Sequence, residues 1–144
     1  MTETYRLDEK QLPDIPVPHD CVIKSIRLAD QTLEFVFEDD ISRHDAVRSR
    51  KPDAKSLVMR FHLDCEPEDC EILRWVRRRK PFGRNGHYRV IGFGELSGLT
   101  ESRLEYLYHY VTYCSVSVEL FTWKTTGNIL LKMDAKTVEL EWIC

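Results

Sequence analysis

Apolar and polar residues alternate along several short segments of this chain. Alternation with a period of two is typical of strands that pack on one face and contact solvent on the other. It is clearest over 21–28, 32–38, 57–63 and 115–123. The short turn at 29–31 predicts that the first two of these strands form a hairpin.

The C-terminal part contains three apolar runs separated by turn-forming residues. Turns at 125–128 and 134–136 separate the run at 115–123 from the runs at 129–133 and 138–142. Short strands joined by tight turns are typical of an antiparallel meander. We therefore expect these three runs to form a meander.

One segment has helical rather than alternating periodicity. Thr100 is a suitable N-cap, and Glu101 places a negative charge at the positive end of the helix dipole. Apolar residues then recur at the three- and four-residue spacing of a helix, at Leu104, Leu107, Tyr108 and Val111. This pattern predicts the main helix at about 100–112.

The segment 70–78 fits neither period, so both a strand and a short helix remain open. A strand is favoured because 88–95 is a suitable partner strand across the turn signal Asn85-Gly86. Together the patterns predict an α+β fold, a mostly antiparallel sheet of about seven short strands with one main helix.

The beginning of the chain differs from the remainder. Pro13 and Pro16 have the three-residue spacing of a polyproline II stretch. We expect residues 1–18 to form an extended N-terminal arm and residues 19–144 to form a single α+β domain. The length of 144 residues matches about one domain, and a chain of this length buries enough surface to form a core.

The charge of the chain is segregated, although its formal net charge of −3 is small. Residues 72–94 contain seven basic residues and no acidic one, so the remainder of the chain carries −10. Aromatic residues are interspersed among these basic residues. The candidate binding surface therefore consists of Arg74, Arg77, Arg78, Arg79, Lys80, Arg84 and Arg89, with Trp75, Phe82 and Tyr88.

Three interpretations of this basic stretch remain open. Arginines and aromatic rings together can bind single-stranded nucleic acid, through phosphates and stacked bases respectively. The same residues can bind an acidic protein surface. Alternatively, the acidic residues of the chain itself neutralise the stretch.

The N-terminal sequence and the cysteines bear on the compartment. The sequence does not begin with basic residues followed by an apolar run, as a secretory signal does. It also contains no run of ~18 apolar residues, the length that a membrane-spanning helix requires. The chain has an odd number of cysteines, five. We therefore expect free thiols, no membrane segment and a cytoplasmic location.

Residues suited to catalysis or metal binding are scattered. The doublets His19-Asp20 and His44-Asp45 are similar to those of metal-dependent phosphohydrolases, which require further ligands from surrounding helices. Here His19-Asp20 begins a strand and His44-Asp45 lies in a polar loop. We expect His19 and Asp20 instead to form hydrogen bonds with the backbone where the arm enters the sheet. Cys65 and Cys70 lack the second close pair of a typical zinc site. We predict no catalytic residue, metal or cofactor.

The segment Pro18-His19-Asp20-Cys21-Val22-Ile23-Lys24-Ser25-Ile26, followed by Leu33-Glu34-Phe35-Val36-Phe37, resembles the opening of several families of small uncharacterised bacterial proteins. In these a His-Asp doublet enters the first hairpin of an all-β or α+β domain. Some of them resemble immunity proteins found beside bacterial toxins. The resemblance covers residues 18–38, carries over no functional residue and implies stoichiometric binding rather than catalysis.

The sequence thus favours a non-enzymatic cytoplasmic protein-binding domain, including the immunity-type inhibitors that the resemblance implies. One alternative is a nucleic-acid-binding module that uses the stretch 74–89. A second alternative is an enzyme of uncharacterised activity. Self-association through an exposed edge strand remains open.

Overall fold

Nine strands form the fold over the ranges that the computed structural model describes, residues 1–77 and 86–144. The predicted sheet-rich α+β class is confirmed, but the predicted count of about seven strands is wrong. The strands are β1 (Thr2–Arg6), β2 (Ile23–Ala29), β3 (Thr32–Phe37), β4 (Ser56–Leu63), β5 (Glu71–Arg77), β6 (Gly86–Val90), β7 (Leu104–Thr112), β8 (Ser115–Thr122) and β9 (Gly127–Ile143).

The long strand β9, with 17 residues, belongs to two antiparallel sheets. Its C-terminal half pairs with β1 and β4, and β3 and β2 follow β4 to complete the first sheet. Its N-terminal half pairs with β5 and β8, which in turn pair with β6 and β7 in the second sheet. The second sheet therefore has the strand order β6-β5-β9-β8-β7.

The predicted turn at 134–136 is wrong, because β9 continues through it. A register shift in the pairing with β4 lies at this point, between the partners Thr137 and Ala135. Such a bulge changes which residues face inward and bends the strand. The buried positions accordingly shift from the odd-numbered Ile129–Ala135 series to the even-numbered Val138–Trp142 series, which resembles two strands and a turn in the sequence.

The core lies between the two sheets, which also approach each other at β2 and β7. Tyr106 donates its backbone N–H to Cys21 O at 2.9 Å and accepts one from Asp20 at 2.8 Å. Its fully buried ring packs edge-to-face on Phe35 and Phe37, with centroid distances of 6.3 and 5.8 Å. Tyr106 therefore joins the second sheet to the centre of the first.

The predicted helix at 100–112 is wrong, because strand β7 occupies most of that segment. β-Branched and aromatic residues dominate it and favour a strand. A register shift between Tyr106 and Tyr108 changes the parity of the inward positions, from Leu104 and Tyr106 before it to His109 and Val111 after it, so no continuous period of two is visible. The main helix is instead α2 (Phe93–Gly98), which follows a four-residue helix, α1 (Asp45–Arg48), along the described chain.

The segment 70–78 is a strand over Glu71–Arg77, as the sequence favoured. Its predicted partner at 88–95 is correct only in part. Strand β6 ends at Val90, and Gly92 is the N-cap of α2.

In the described ranges, no helix is long and apolar enough to cross a membrane.

Residues 1–18, predicted to be an arm, contact both sheets. They contain strand β1 and bury Leu7 and Ile15. Ile15 O accepts a hydrogen bond of 3.0 Å from Nε2 of the buried His109. Since Nε2 carries the proton, Nδ1 is an acceptor, and it receives the Tyr106 hydroxyl at 2.7 Å. This chain of two hydrogen bonds ties the N-terminal segment to the core and requires a neutral imidazole.

The neutral form of His109 makes stability sensitive to acid. Burial lowers the pKa of His109 below its ordinary value, and the hydrogen bond to Ile15 opposes this shift. The unfolded chain therefore binds this proton at higher pH than the folded chain. The stabilisation is complete above about pH 6.5, the unfolded value, and declines as pH falls through the folded value.

We expect the stability advantage of the wild type over His109→Gln to shrink below pH 6.5, by at most about 1.4 kcal/mol per pH unit. The neutral glutamine provides a donor and an acceptor without titrating. Urea unfolding of both proteins at pH 7.5, 6.5 and 5.5 measures this difference. An advantage that stays constant or grows on acidification would show that His109 is not buried in its neutral form.

Candidate functional site

Five of the ten predicted binding residues lie on the hairpin formed by β5 and β6. Arg74 is paired with Arg89 and Trp75 with Tyr88, and Arg77 lies near the end of the hairpin opposite Gly86. The other five fall at 78–85, outside the described residues: Arg78, Arg79, Lys80, Phe82 and Arg84. We call β5, β6 and their connection, residues 71–90, the basic hairpin.

The chain itself neutralises two of the three described arginines of this hairpin. Glu95 Oε2, on helix α2, accepts hydrogen bonds from Arg74 Nη1 at 3.0 Å and from Arg89 Nη2 at 2.8 Å. Burial alone would raise the pKa of Glu95, but the two arginines outweigh it and lower the pKa. The Arg74 side chain is only 11% exposed. Arg74 therefore serves the structure, whereas Arg77 is exposed to solvent.

Trp75 is held edge-to-face against Tyr88, with ring centroids 5.1 Å apart. Two glycines make room for it. A Cβ atom at Gly86 would lie 2.5 Å from the Trp75 ring and 2.6 Å from Val76 O, and one at Gly127 would lie 3.1 Å from Trp75 O. An open pocket of about 330 Å³ lies beside the two rings, between β6 and the residues 126–128.

Gly86→Ala is expected to disorder the basic hairpin, because the added methyl group cannot avoid both the ring and the rigid backbone oxygen. The global cost is about 1 kcal/mol, since an edge hairpin can open locally to relieve the strain. Amide hydrogen exchange should accelerate in β5 and β6 and stay unchanged in β3 and β4. Gly94→Ala is the control, because a Cβ there has no neighbour within 4 Å. Equal exchange in both variants would contradict the close approach.

The outward face of the second sheet carries a continuous set of apolar and aromatic side chains. Cross-strand pairing aligns Val90, Leu73, Leu130 and Tyr108 in one row, with Glu119 between the last two. The pair Tyr88 and Trp75 begins the adjacent row, to which Phe121 also belongs. We call this surface the outer face; its residues are Leu73, Trp75, Tyr88, Val90, Tyr108, Tyr110, Phe121, Trp123 and Leu130.

Three aromatic pairs dominate the outer face. Besides Trp75 and Tyr88, the centroids of Tyr108 and Tyr110 are 5.0 Å apart, and those of Phe121 and Trp123 are 5.2 Å apart. The solvent-exposed fraction is 42% for Tyr88, 58% for Tyr110 and 51% for Trp123. Large aromatic side chains exposed together are typical of interaction surfaces.

Polar groups on and around this face are mostly paired with each other. Asn128 Nδ2 donates to Glu119 Oε1 at 2.8 Å. Arg103 lies over the Trp123 ring at 5.8 Å and donates through Nε to Glu105 Oε1 at 2.7 Å. Such pairing fixes the polar side chains and leaves the aromatic rings as the principal exposed contacts.

Most of the outer face was not predicted from the sequence. The sequence contains one indication of it, because Phe121 and Trp123 lie at positions of opposite parity to the buried residues of β8. Tyr108 and Tyr110 were assigned to a helix, and only their placement on β7 brings them onto the same face as Phe121. The basic stretch contributed Trp75 and Tyr88 to the predicted site for a different reason, their closeness to arginines.

The histidines of the two histidine-aspartate doublets contact groups of the chain itself. His19 Nδ1 donates to Leu107 O at 2.6 Å, in agreement with the expected backbone hydrogen bond. His44 Nε2 lies 3.3 Å from Glu38 Oε1, which also pairs with Arg43. Throughout 1–77 and 86–144, no three side chains of His, Cys, Asp or Glu form a cluster suited to a metal ion.

The arrangement is suited to contact with another molecule. Rigid sheet backbone positions the aromatic pairs, and Arg77 lies beside them near the end of the basic hairpin. Comparisons with protein-family models, with curated proteins and with solved structures found no match to this chain.

Proposed function

We propose that this chain is a non-enzymatic protein-binding domain whose interface is the outer face of the second sheet. The observation that carries the proposal is the set of three exposed aromatic pairs on one rigid face. Tyrosine and tryptophan contribute most strongly to protein interfaces, because they bury a large area at a small cost in conformational entropy.

The charge around the outer face indicates the chemistry of the partner. The exposed Arg77 borders the face, and four more basic residues follow within 78–84 of the sequence. The centre of the face is apolar, with a glutamate already paired to an asparagine. We therefore propose a protein partner with an apolar central patch and an acidic edge that contacts the basic hairpin.

An immunity-type inhibitor remains the finer form of this proposal, on the basis of the resemblance of residues 18–38. Under it, the protein acts in the bacterial cytoplasm and binds a toxin stoichiometrically. The five free thiols are compatible with a reducing compartment. A second copy of this chain is an alternative partner for the outer face. Charge repulsion disfavours any such homo-oligomer in which two basic hairpins approach each other.

The proposal is tested by affinity capture from the native host, with charge reversal in the basic hairpin. Arg77→Glu combined with Arg78→Glu and Arg79→Glu should abolish capture of a partner that the wild type binds. Arg74 is left unchanged because it pairs with Glu95. Arg27→Glu, a highly exposed arginine on the first sheet, is the charge control. Retention of every captured protein by the triple variant would contradict the proposed contribution of the hairpin.

A nucleic-acid-binding module is the second candidate function, favoured by the position of Trp75 and Tyr88 beside the basic run. Electrostatic affinity for single strands is strongest at low salt, so binding of a fluorescent oligothymidine should be measured at about 50 mM salt. This candidate predicts affinity that falls steeply with salt and is lost in Trp75→Ala and Tyr88→Ala. Absence of binding at this salt concentration would eliminate it.

A further inference from the structure

Two cysteine thiols lie in contact where the chain passes from the first sheet to the second. Cys65 follows β4, and Cys70 immediately precedes β5. Their sulfur atoms are 3.8 Å apart. The pair lies at the base of the basic hairpin, apart from the three aromatic pairs, and its chemistry does not depend on the proposed function.

A tight turn, fixed at both ends, brings the two thiols together. Pro67–Asp69 form a single 3-10 turn, in which Asp69 N donates to Glu66 O at 2.9 Å and Cys70 N to Pro67 O at 3.2 Å. The flanking strands are held independently, because β4 and β5 both pair with β9. A disulfide requires sulfur atoms about 2.05 Å apart, so the two sulfur atoms must approach each other by less than 2 Å to form the bond.

Both thiols are accessible but differ in their surroundings. Cys65 and Cys70 are each half-buried, and the Cys65 thiol contacts Asp134 O at 3.7 Å. Burial, followed by the neighbouring Cys65, raises the pKa of Cys70 to about 12. The contact between the two sulfur atoms allows either thiol to react first and the other to close the bond.

The turn between the two cysteines is strongly acidic, as are the residues on either side of it. Residues 64–71 contain five carboxylates and no basic residue: Asp64, Glu66, Glu68, Asp69 and Glu71. Within the described residues, one cation lies within salt-bridge distance of this set, Lys136, 3.5 Å from Asp64, and Lys132 is the cross-strand partner of Glu71. The resulting negative potential repels anionic reagents and attracts cationic ones.

We propose that Cys65 and Cys70 form a site of reversible covalent modification, which reduces a small cationic or neutral disulfide and closes into an intramolecular disulfide. The thiolate of one cysteine attacks one sulfur of the reagent, forming a mixed disulfide and releasing the first thiol. The other cysteine then loses its proton and attacks the protein sulfur of the mixed disulfide, releasing the second thiol. The two protein thiols lose two electrons and two protons, which the reagent disulfide gains as it becomes two thiols.

Closure links the end of β4 to the start of β5 through a loop of six residues. The pocket beside Cys70 is lined by Ile72, Val90 and Phe93, which belong to the basic hairpin and to α2. Oxidation therefore restrains the base of the basic hairpin, and reduction by an excess of thiol reverses it.

The test uses the reduced full-length protein carrying Cys144→Ser, which removes the exposed terminal thiol. Cystamine is the cationic disulfide and oxidised glutathione the anionic one. We expect cystamine to give an intact mass reduced by two hydrogens and a peptide crosslinked between Cys65 and Cys70. Closure should be about tenfold slower with oxidised glutathione, and neutralising Glu66 and Glu68 as glutamines should reduce that difference.

Single variants separate the two steps. Cys70→Ser should accumulate the mixed disulfide at Cys65, and Cys65→Ser should accumulate it at Cys70, because neither variant can close the intramolecular bond. Stable mixed disulfides on both cysteines of the parent protein, without the crosslink, would overturn the proposal. Equal rates with the two reagents would overturn the assigned preference for a cationic disulfide.

Discussion

Replacement of Tyr106 with alanine is expected to lower the free energy of unfolding by about 3–5 kcal/mol. Tyr106 is fully buried and packs on Phe35 and Phe37. Truncation removes these contacts and leaves a cavity where the two sheets meet. It also removes the hydroxyl that donates to His109 Nδ1. Urea denaturation monitored by circular dichroism measures the loss.

Tyr110→Ala is the matched control for this prediction, because Tyr110 is on the same strand but 58% exposed on the outer face. We expect it to change stability by less than about 1 kcal/mol. Tyr106→Phe keeps the ring and should cost about 1–3 kcal/mol, since it leaves a buried acceptor without its donor. A cost for Tyr106→Ala no greater than that for Tyr110→Ala would contradict the position of Tyr106 in the core.

Replacement of Arg60 with methionine is expected to cost about 2–3 kcal/mol, the range for hydrogen bonds to charged groups. Arg60, on β4, donates to Glu34 on β3 at 2.9 Å and to Glu139 on β9 at 2.8 Å. It also lies 2.8 Å from Glu141. Methionine keeps the apolar length of the side chain. It leaves the carboxylate on β3 and the two carboxylates on β9, which flank β4, without the guanidinium that lies between them. Thermal and urea unfolding both measure the effect.

Arg27→Met is the control, because Arg27 contacts one of the same glutamates, Glu34, at 3.4 Å but is largely exposed. An exposed pair of this kind contributes about 0–1 kcal/mol. If both variants lose the same small amount of stability, the three carboxylates around Arg60 are solvated independently and do not form a cooperative network.

The sequence predicted the strands in which alternation is uninterrupted. In β3 and β4 every inward position is apolar, so the period of two is visible without knowledge of the partner strands. Bulges obscured two other strands. The shift at Leu107 in β7 interrupted the period of two, and the shift near Lys136 divided β9 into two apparent strands.

The candidate site was predictable only in part, because it depends on contacts between distant segments. The basic hairpin was visible as a run of charge, but its neutralisation by Glu95 depends on where α2 packs. The outer face combines residues of β5 and β6 with Tyr108 of β7 and Trp123 after β8. Only cross-strand register places these residues together, and register over such separations is not encoded in local periodicity.

The most direct test of the outer face is the dissociation constant of the captured partner for wild type and for Tyr108→Ala combined with Tyr110→Ala, measured by isothermal titration calorimetry. Tyr113→Ala is the control, since Tyr113 is more exposed than either tyrosine but lies in the turn between β7 and β8. We predict that the double variant binds at least about thirtyfold more weakly, as for loss of 2 kcal/mol or more at an interface centre. The control should bind like the wild type. Equal affinity of wild type and double variant would show that the partner binds elsewhere.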